Sequence, residues 1–277
     1  MTNTIKFLDY KERPAFSPPA AAYHQRCLEL GAGIEGQEFS YGPHDLQRLI
    51  VYPAADPNGE VLLAFHGGRF SHGYKEWIAM MAPPLNQRGI TLVTGGHRLI
   101  PEPFPAGLED CASALRWVAD NLDRFGGRSD AIFLSGHSSG GYYATMAALR
   151  SEALGLDTLP AVAGCLPISG LFRMEPAMPP GTLLFPEGAD PETYVKASPL
   201  EHDLRTAPPF HITWGGNDLP PIPDQSTAMV DALGKAGGHA EAFPIDGADH
   251  FDTHYAAAEM DGAWIRSAAN FMAKHRA

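Results

Sequence analysis

Five apolar runs that end in glycine restrict the fold of this chain more than any other feature of the sequence. They are residues 61–68, 90–96, 131–136, 161–170 and 210–216. Continuous apolar runs of this length are typical of strands that are covered on both faces. Helical segments separate them, as at residues 105–127, which begin with a proline and end in two glycines. The alternation predicts an α/β fold, a mostly parallel sheet with helices on both faces.

Weaker patterns complete this alternation. Period-two or apolar character predicts further strands at residues 45–52 and 239–245. Helical spacing predicts helices at residues 18–31, 72–89, 138–153, 224–237 and 251–274. In such a sheet, ligands bind outside the carboxyl ends of the strands. Functional side chains are therefore expected directly after strands.

Two segments do not follow the alternation. Residues 1–38 carry prolines around one helical stretch, and residues 171–207 are proline-rich and weakly periodic. We expect both to form a small cap over the sheet edge, because long irregular insertions are often functional; simple wrapping of the surface is the alternative. No linker-like run divides the chain, so residues 1–277 are predicted to form one domain.

The charge balance excludes several classes of partner. The chain has 20 Lys and Arg against 32 Asp and Glu, a net charge of −12. An acidic chain without a basic cluster is not expected to bind nucleic acid or an anionic membrane. No apolar run reaches the roughly 20 residues that span a bilayer. Because residues 1–14 also lack a signal-peptide apolar region, a cytoplasmic location is expected.

Cysteines and histidines do not form a metal-binding pattern. Cys27, Cys111 and Cys165 are scattered without a CxxC pair, so we expect free thiols. Among the 12 histidines, His250 and His254 would face one way on a helix, but no HExxH motif surrounds them. The sequence predicts neither a metal nor another cofactor.

A glycine- and serine-rich motif follows the predicted strand at residues 131–136. Residues 136–140 read GHSSG, which matches G-x-S-x-G between a strand and a helix. A serine hydroxyl is a weak nucleophile unless a base activates it. Glycines two residues to either side of Ser138 permit the sharp turn that exposes it, whereas Ser139 has no glycine two residues before it. The motif therefore predicts that Ser138 is a nucleophile, with a plain turn as the alternative.

A second glycine turn, FHGGRF at residues 65–70, ends an earlier strand. The N–H groups of Gly67 and Gly68 can approach a substrate oxygen because no side chain stands in the way. With the N–H of Ser139, they are predicted to form an oxyanion hole. His66 is better suited to orient this turn by a hydrogen bond than to act as a base.

The base should be a histidine late in the chain, because the order Ser, acid, His applies to a nucleophile on such a turn. His250 follows the last predicted strand and is the candidate. His254, inside the following helix, is the second choice. His239 begins a strand and lies at the wrong end.

The acid should follow the preceding strand. Asp218 lies directly after the strand at residues 210–216 and would hold the imidazole tautomer. Asp224 is a competitor, but it begins a helix and suits a capping role. Asp246 and Asp249 flank His250 too closely to orient it.

Several motifs together resemble the serine α/β-hydrolases: HGG (66–68), GHSSGG (136–141), GGNDLP (215–220) and DHFD (249–252). Residues 95–117 are similar to the hormone-sensitive-lipase-like branch. The segments ISGLFRMEP (168–176), KASPL (196–200) and DLPPIPDQS (218–226) look more like arylformamidases, the kynurenine-formamidase group. The resemblance implies an α/β-hydrolase fold, and it carries the family's triad onto Ser138, Asp218 and His250.

One departure from the arylformamidases concerns substrate choice. They tend to have HGGYW where this chain has HGGRF, so Arg69 and Phe70 replace Tyr and Trp. Arg69 beside the oxyanion turn is expected to pair with a substrate carboxylate, or alternatively with Glu175 or Glu187 of the cap.

Three aromatic residues are candidate walls of the substrate pocket: Phe70, Trp214 and Phe172. A place in the core is the alternative for each, since aromatic residues are often buried.

The sequence thus predicts a metal-free serine hydrolase that cleaves a small ester or aryl (form)amide through an acyl-enzyme. The alternatives are a short-chain carboxylesterase without formamidase activity, a non-hydrolytic ligand-binding protein on the same fold, and a lyase that uses the same triad. The expected partner is a small-molecule ester or amide substrate, and a homodimer is left open.

Overall fold

The computed structural model describes residues 15, 17–150, 152–175, 184–185 and 189–276. Its strands are β1 (Gln37–Ser40), β2 (Arg48–Tyr52), β3 (Val61–Phe65), β4 (Thr91–Gly95), β5 (Ile132–His137), β6 (Gly164–Ile168), β7 (Phe210–Gly215) and β8 (Ala240–Ile245). Its α-helices are α1 (Pro18–Gly31), α2 (Ala82–Asn86), α3 (Ala106–Asn121), α4 (Ser139–Leu149), α5 (Pro191–Lys196), α6 (Ile222–Lys235), α7 (Asp252–Ala256) and α8 (Ala263–His275). Short 3₁₀ helices lie at Lys75–Met81, Leu122–Phe125, Glu152–Leu154 and Pro199–Glu201.

The strands form one 8-stranded sheet in the order β1-β2-β4-β3-β5-β6-β7-β8. The pairs β1–β2 and β2–β4 are antiparallel, and every later pair is parallel. Phe65 of β3 pairs with Gly95 of β4 on one side and with Gly136 of β5 on the other. The carboxyl ends of the central strands therefore lie at one edge of the sheet. The predicted α/β class with a mostly parallel sheet is confirmed.

The packing of β3 explains why its sequence is apolar throughout. Val61, Leu63 and Phe65 face one core, which also contains residues of α3, α4 and α6. Leu62 and Ala64 face a second core on the other side, with residues of α2 and α8. Because successive side chains of a strand point to opposite faces, a strand covered on both faces has no solvent-facing position.

Two predicted helices differ from the structure because of proline and glycine. The segment 72–89 forms a 3₁₀ helix followed by α2, in which Pro83 occupies the first turn. Proline lacks an N–H and fits an α-helix only at its start, so the α-helix begins there. The segment 251–274 contains two helices, α7 and α8, because Gly262 adopts an extended conformation before α8.

The predicted cap segments are only partly described. In residues 1–38, α1 packs through Tyr23 and Cys27 against Trp77, and β1 extends the sheet, which the sequence patterns did not predict. In residues 171–207, the described portion contains α5 and a 3₁₀ turn. Residues 1–14, 16, 176–183 and 186–188 lie outside the described residues, and Glu187, one predicted partner of Arg69, is among them.

The three cysteines are free and buried, as predicted. Across the described residues, helices are too short or too polar to pass through a membrane.

Candidate active site

The predicted triad residues meet at the carboxyl edge of the sheet. Ser138 follows β5, Asp218 follows β7 and His250 follows β8. The Nε2 atom of His250 lies 3.0 Å from Ser138 Oγ. Its Nδ1 atom lies 2.7 Å from Asp218 Oδ1. Both distances are those of hydrogen bonds, and together they form the geometry in which an imidazole can take a proton from a hydroxyl.

The backbone at Ser138 is strained, and the glycines on either side of it make this strained turn possible. Ser138 has φ 56° and ψ −122°, a conformation that side chains rarely adopt. The first turn of α4 lies so close to the end of β3 that a β-carbon on Gly140 would overlap the carbonyl oxygen of Phe65. One on Gly136 would overlap the backbone of Gly140. The glycines of the motif are thus required by close backbone packing on both sides of the serine.

Asp218 is held by several donors besides His250. Its Oδ2 atom accepts hydrogen bonds from Ser169 Oγ at 2.5 Å and from the N–H of Gly215 at 3.1 Å. Its Oδ1 atom also accepts from the N–H of Leu219 at 2.8 Å. Burial by itself would raise the pKa of Asp218, but the hydrogen bonds from His250, Ser169 and Gly215 outweigh it, and the pKa lies below its usual value. The side chain is therefore a carboxylate that can stabilise an imidazolium.

The alternatives that the sequence left open occupy other places. His254 is fully buried and its Nδ1 atom lies 2.7 Å from the hydroxyl of Tyr23. Asp224 is exposed in the first turn of α6. Asp249 accepts hydrogen bonds from the N–H groups of residues 251 and 252, before and at the start of α7. Of these candidate bases and acids, only His250 and Asp218 hydrogen-bond to each other, and the second nitrogen of His250 hydrogen-bonds to Ser138.

The predicted oxyanion donors lie around the serine. A β-carbon on Gly67 would come within 2.9 Å of the β-carbon of Ser138, which shows how close the two turns are. Gly68 has φ 125° and lines the cavity beside Ser138. Ser139 is the first residue of α4, where backbone N–H groups lack a partner within the helix. The Nδ1 atom of His66 donates to the carbonyl oxygen of Gly67 at 2.8 Å, in line with the orienting role expected for this histidine.

A cavity of about 690 Å³ opens over Ser138 and His250. The lining comes from both predicted cap segments, through Tyr23 of α1 and through Leu171, and from the apolar residues 219–222. Its polar side chains include Arg69, Arg173 and Glu175. A cavity of this size and character is typical of sites for small organic ligands.

The prediction that Phe70, Trp214 and Phe172 form pocket walls was wrong. None of them is among the residues that line the cavity. Phe70 and Phe172 are fully buried in the core, and Trp214 packs against the same core. Phe70 turns away because its backbone has φ 63°, and its ring packs edge-on against Tyr142 and Tyr143 of α4.

The hydrogen-bond network around the candidate acid and base includes two side chains that had not been predicted, Ser169 and Thr253. Ser169, directly after β6, donates to Asp218, and its Oγ atom lies 2.8 Å from Thr253 Oγ1. Thr253 in turn donates to the carbonyl oxygen of His250 at 2.9 Å. A polar residue directly after a strand, the same signal that identified Asp218, would have identified Ser169. Thr253 lies inside α7, where the sequence has no comparable signal.

A separate group of ligand-type side chains lies at the opposite edge of the sheet, near the amino end of β8. His239, Glu241 and His275 bring potential metal-ligand atoms within 4.8 Å of one another. The ammonium group of Lys274 donates to Glu241 at 2.9 Å, and the Nε2 atom of His239 lies 3.0 Å from the same oxygen. This carboxylate is already paired with a cation, so the cluster is best described as a surface ion-pair network.

Comparisons with known proteins agree with this architecture. Probable carboxylic ester hydrolase LipM of Mycobacterium tuberculosis is 30% identical over 220 residues, which are 71% of this chain and 51% of that protein. Kynurenine formamidase of Danio rerio is 24% identical over 231 residues, 76% of this chain and 73% of that protein. This chain therefore spans about half the length of LipM.

Similarity of fold extends to solved structures. A bacterial heroin esterase superposes with a TM-score of 0.77 and 20% sequence identity, over 94% of this chain and 92% of that one. A family model described as alpha/beta hydrolase fold matches residues 62–253, the segment that contains the glycine turn, the serine motif and the candidate acid and base. The chain belongs to the α/β-hydrolase family.

Proposed function

We propose that this protein is a serine hydrolase that cleaves small carboxylic esters, with Ser138, His250 and Asp218 as its catalytic triad. The observation that carries the proposal is the pair of hydrogen bonds, 3.0 Å and 2.7 Å long, that joins the three side chains. Family membership and the ester hydrolases among the relatives support the reaction class. The depressed pKa of Asp218 supports the role of a charged acid.

The reaction follows from this geometry. The hydroxyl of Ser138 attacks the ester carbonyl carbon while His250 Nε2 takes its proton, and the carbonyl oxygen becomes an oxyanion. The N–H groups of Gly67, Gly68 and Ser139 would bind that oxygen. His250 then returns the proton to the leaving alcohol, which leaves an acyl-enzyme on Ser138. Water, activated by the same imidazole, releases the acid and restores the serine.

The ester hydrolases among the relatives make an ester the first candidate substrate. A cavity of about 690 Å³ lined by residues 219–222 and Leu171 has room for a large apolar group on one side of the bond that is cleaved. The kynurenine formamidase among the relatives keeps aryl formamides as the second candidate. Relative values of kcat/KM for p-nitrophenyl esters of two to eight carbons and for N-formylkynurenine separate the two.

Labelling of the serine tests the mechanism directly. A fluorophosphonate probe should modify the protein at Ser138 alone, because only a serine beside a base is sufficiently nucleophilic. Peptide mass spectrometry locates the adduct. The rate of p-nitrophenyl acetate hydrolysis should fall in proportion to the fraction of protein that is labelled. A protein that turns over no ester and stays unlabelled would instead be the non-hydrolytic binder on the same fold.

Arg69 offers a test of substrate choice. It lines the cavity next to Gly68, where its guanidinium could pair with a carboxylate on the substrate. Arg69→Gln should lower kcat/KM for a carboxylate-bearing ester by about tenfold relative to a neutral ester with the same acyl chain, as expected for one charge-assisted hydrogen bond. The two substrates are compared under the same conditions by initial rates.

The matched control is Arg116→Gln, an exposed arginine of α3 that bonds to Thr158. It should leave the ratio between the two substrates unchanged. Equal losses for both esters in Arg69→Gln would refute a specific role in recognition of the carboxylate.

A further inference from the structure

Tyr23 of α1 lies beneath the candidate base although it is far away in sequence. Its hydroxyl is 2.7 Å from Nδ1 of His254 and 3.4 Å from Nδ1 of His137. These two imidazole rings stack with centroids 4.9 Å apart and an interplanar angle of 6°. One phenol therefore connects α1 with both the serine turn and α7.

His137 carries this connection to His250. Its Nε2 atom donates to the carbonyl oxygen of His250 at 2.7 Å, and the two rings lie 4.7 Å apart. The same carbonyl accepts from Thr253. Two side chains thus fix the backbone from which the candidate base projects, and one of them touches Tyr23.

A single arrangement of hydrogens satisfies all three contacts when both imidazoles are neutral. The carbonyl of His250 can only accept, so Nε2 of His137 carries its hydrogen and its Nδ1 is bare. Tyr23 must then donate to that nitrogen and accept from Nδ1 of His254. Burial, with His250 and His254 nearby, lowers the pKa of His137, and burial lowers the pKa of His254 to about 3. Burial also raises the pKa of Tyr23, so the phenol keeps its proton.

We propose that Tyr23 is a positioning residue for the triad: its hydroxyl orients His137, and His137 holds the backbone of His250 so that Nε2 stays within reach of Ser138. This inference rests on the proposed serine-hydrolase function. Tyr23 touches no reacting atom in this role. It lies outside residues 62–253, the part of the chain that matches the family model, so α1 adds a positioning element to that shared core.

The aromatic packing of α1 keeps the hydroxyl in place. The ring of Tyr23 stacks on Phe251 with centroids 4.7 Å apart and meets Trp77 edge-on at 5.0 Å. The indole N–H of Trp77 donates to His24 at 2.9 Å, which ties the next residue of α1 to the same 3₁₀ helix. Tyr23→Phe keeps these ring contacts and removes only the hydroxyl, which makes it the appropriate test.

Two separate quantities distinguish positioning from pocket lining. Tyr23→Phe should lower kcat by about tenfold, because His137 loses the hydrogen bond that orients its ring, with KM within about twofold of the wild type. The rate of Ser138 modification by a fluorophosphonate should fall by the same factor, because that reaction needs the base but no contact with the ester's acyl group. Stopped assays with p-nitrophenyl acetate measure kcat and KM, and time-resolved labelling measures the rate of Ser138 modification.

Tyr255→Phe is the matched control, since its ring lies 5.9 Å from that of Tyr23, while the phenol hydroxyl described as hydrogen-bonded to His137 and His254 is that of Tyr23. It should keep kcat and the labelling rate. A rise in KM with unchanged kcat in Tyr23→Phe, or an unchanged labelling rate, would overturn the proposal. If the wild type itself is not labelled at Ser138, the proposed function fails; if it is labelled and Tyr23→Phe reacts equally fast, only the positioning role fails.

Discussion

Ser138→Ala is expected to lower kcat for p-nitrophenyl acetate by about 10⁶-fold, the loss that is typical when the nucleophile of a serine triad is removed. The Oγ atom that lies 3.0 Å from His250 is the only part of the residue that the variant deletes. The backbone at this turn already has φ 56°, and alanine accepts this conformation no less readily than serine. The protein should therefore fold and still bind esters. Steady-state kinetics measure the loss of turnover, and the circular dichroism spectrum shows whether the variant is folded.

Ser135→Ala, three residues earlier on β5, is the matched control for this experiment. The hydroxyl of Ser135 donates to the carbonyl oxygen of Leu166 inside the sheet, so its removal costs about 1 kcal/mol of stability and should leave kcat close to the wild-type value. Ser138 would be refuted as the nucleophile if Ser138→Ala hydrolysed the ester at more than about one hundredth of the wild-type rate. That level is far above the residual activity usual when a triad residue is removed.

Asp218→Asn should lower kcat by about 10⁴-fold, because the imidazolium of His250 would lose the negative charge that stabilises it. The surroundings offer the amide no good orientation. Backbone N–H groups of Leu219 and Gly215 point at the two oxygens of Asp218, one at each, so the NH₂ group must face a donor either way. If it faces His250, the imidazole is driven to carry its hydrogen on Nε2 and cannot accept the proton of Ser138.

Asp218→Asn should also lower the free energy of unfolding, measured by thermal unfolding, by about 1–3 kcal/mol, because one buried donor is left unpaired. Asp224→Asn is the control: this exposed carboxylate in the first turn of α6 was the competing candidate from the sequence. It should retain wild-type kcat. Near-normal turnover in Asp218→Asn, or a large loss in Asp224→Asn, would contradict the assignment of the acid.

The parts of the site that the sequence predicted all depend on short-range patterns. Ser138, Asp218 and His250 each come shortly after a strand that the sequence predicts. Clear apolar runs mark the strands before Ser138 and Asp218, whereas residues 239–245 before His250 have the weaker pattern. In a parallel sheet those positions share one edge, so their neighbourhood could be expected before any coordinates. The choice of His250 over His254 rested on one helix boundary, and the structure supports that choice by burying His254 beneath Tyr23.

The aromatic residues show where such patterns stop being informative. Phe70 and Phe172 lie beside residues that line the cavity, Arg69 and Leu171, yet both rings are in the core. A shift of one position along an irregular segment decides between cavity and core, and that depends on backbone angles such as φ 63° at Phe70. Apolarity alone is the same in both places.

The sequence by itself determined the alternation of strands and helices that builds the central sheet, the need for glycine around Ser138, and the edge of the sheet at which the chemistry would lie. These follow from residue size, backbone freedom and periodicity over a few neighbours. Only the tertiary structure decided which imidazole nitrogen faces Ser138, which donors hold Asp218, and that Tyr23 of α1 lies against His137, 114 positions along the chain. Such contacts depend on the docking of elements that are distant in sequence, where shifts of about 1 Å make or break a hydrogen bond.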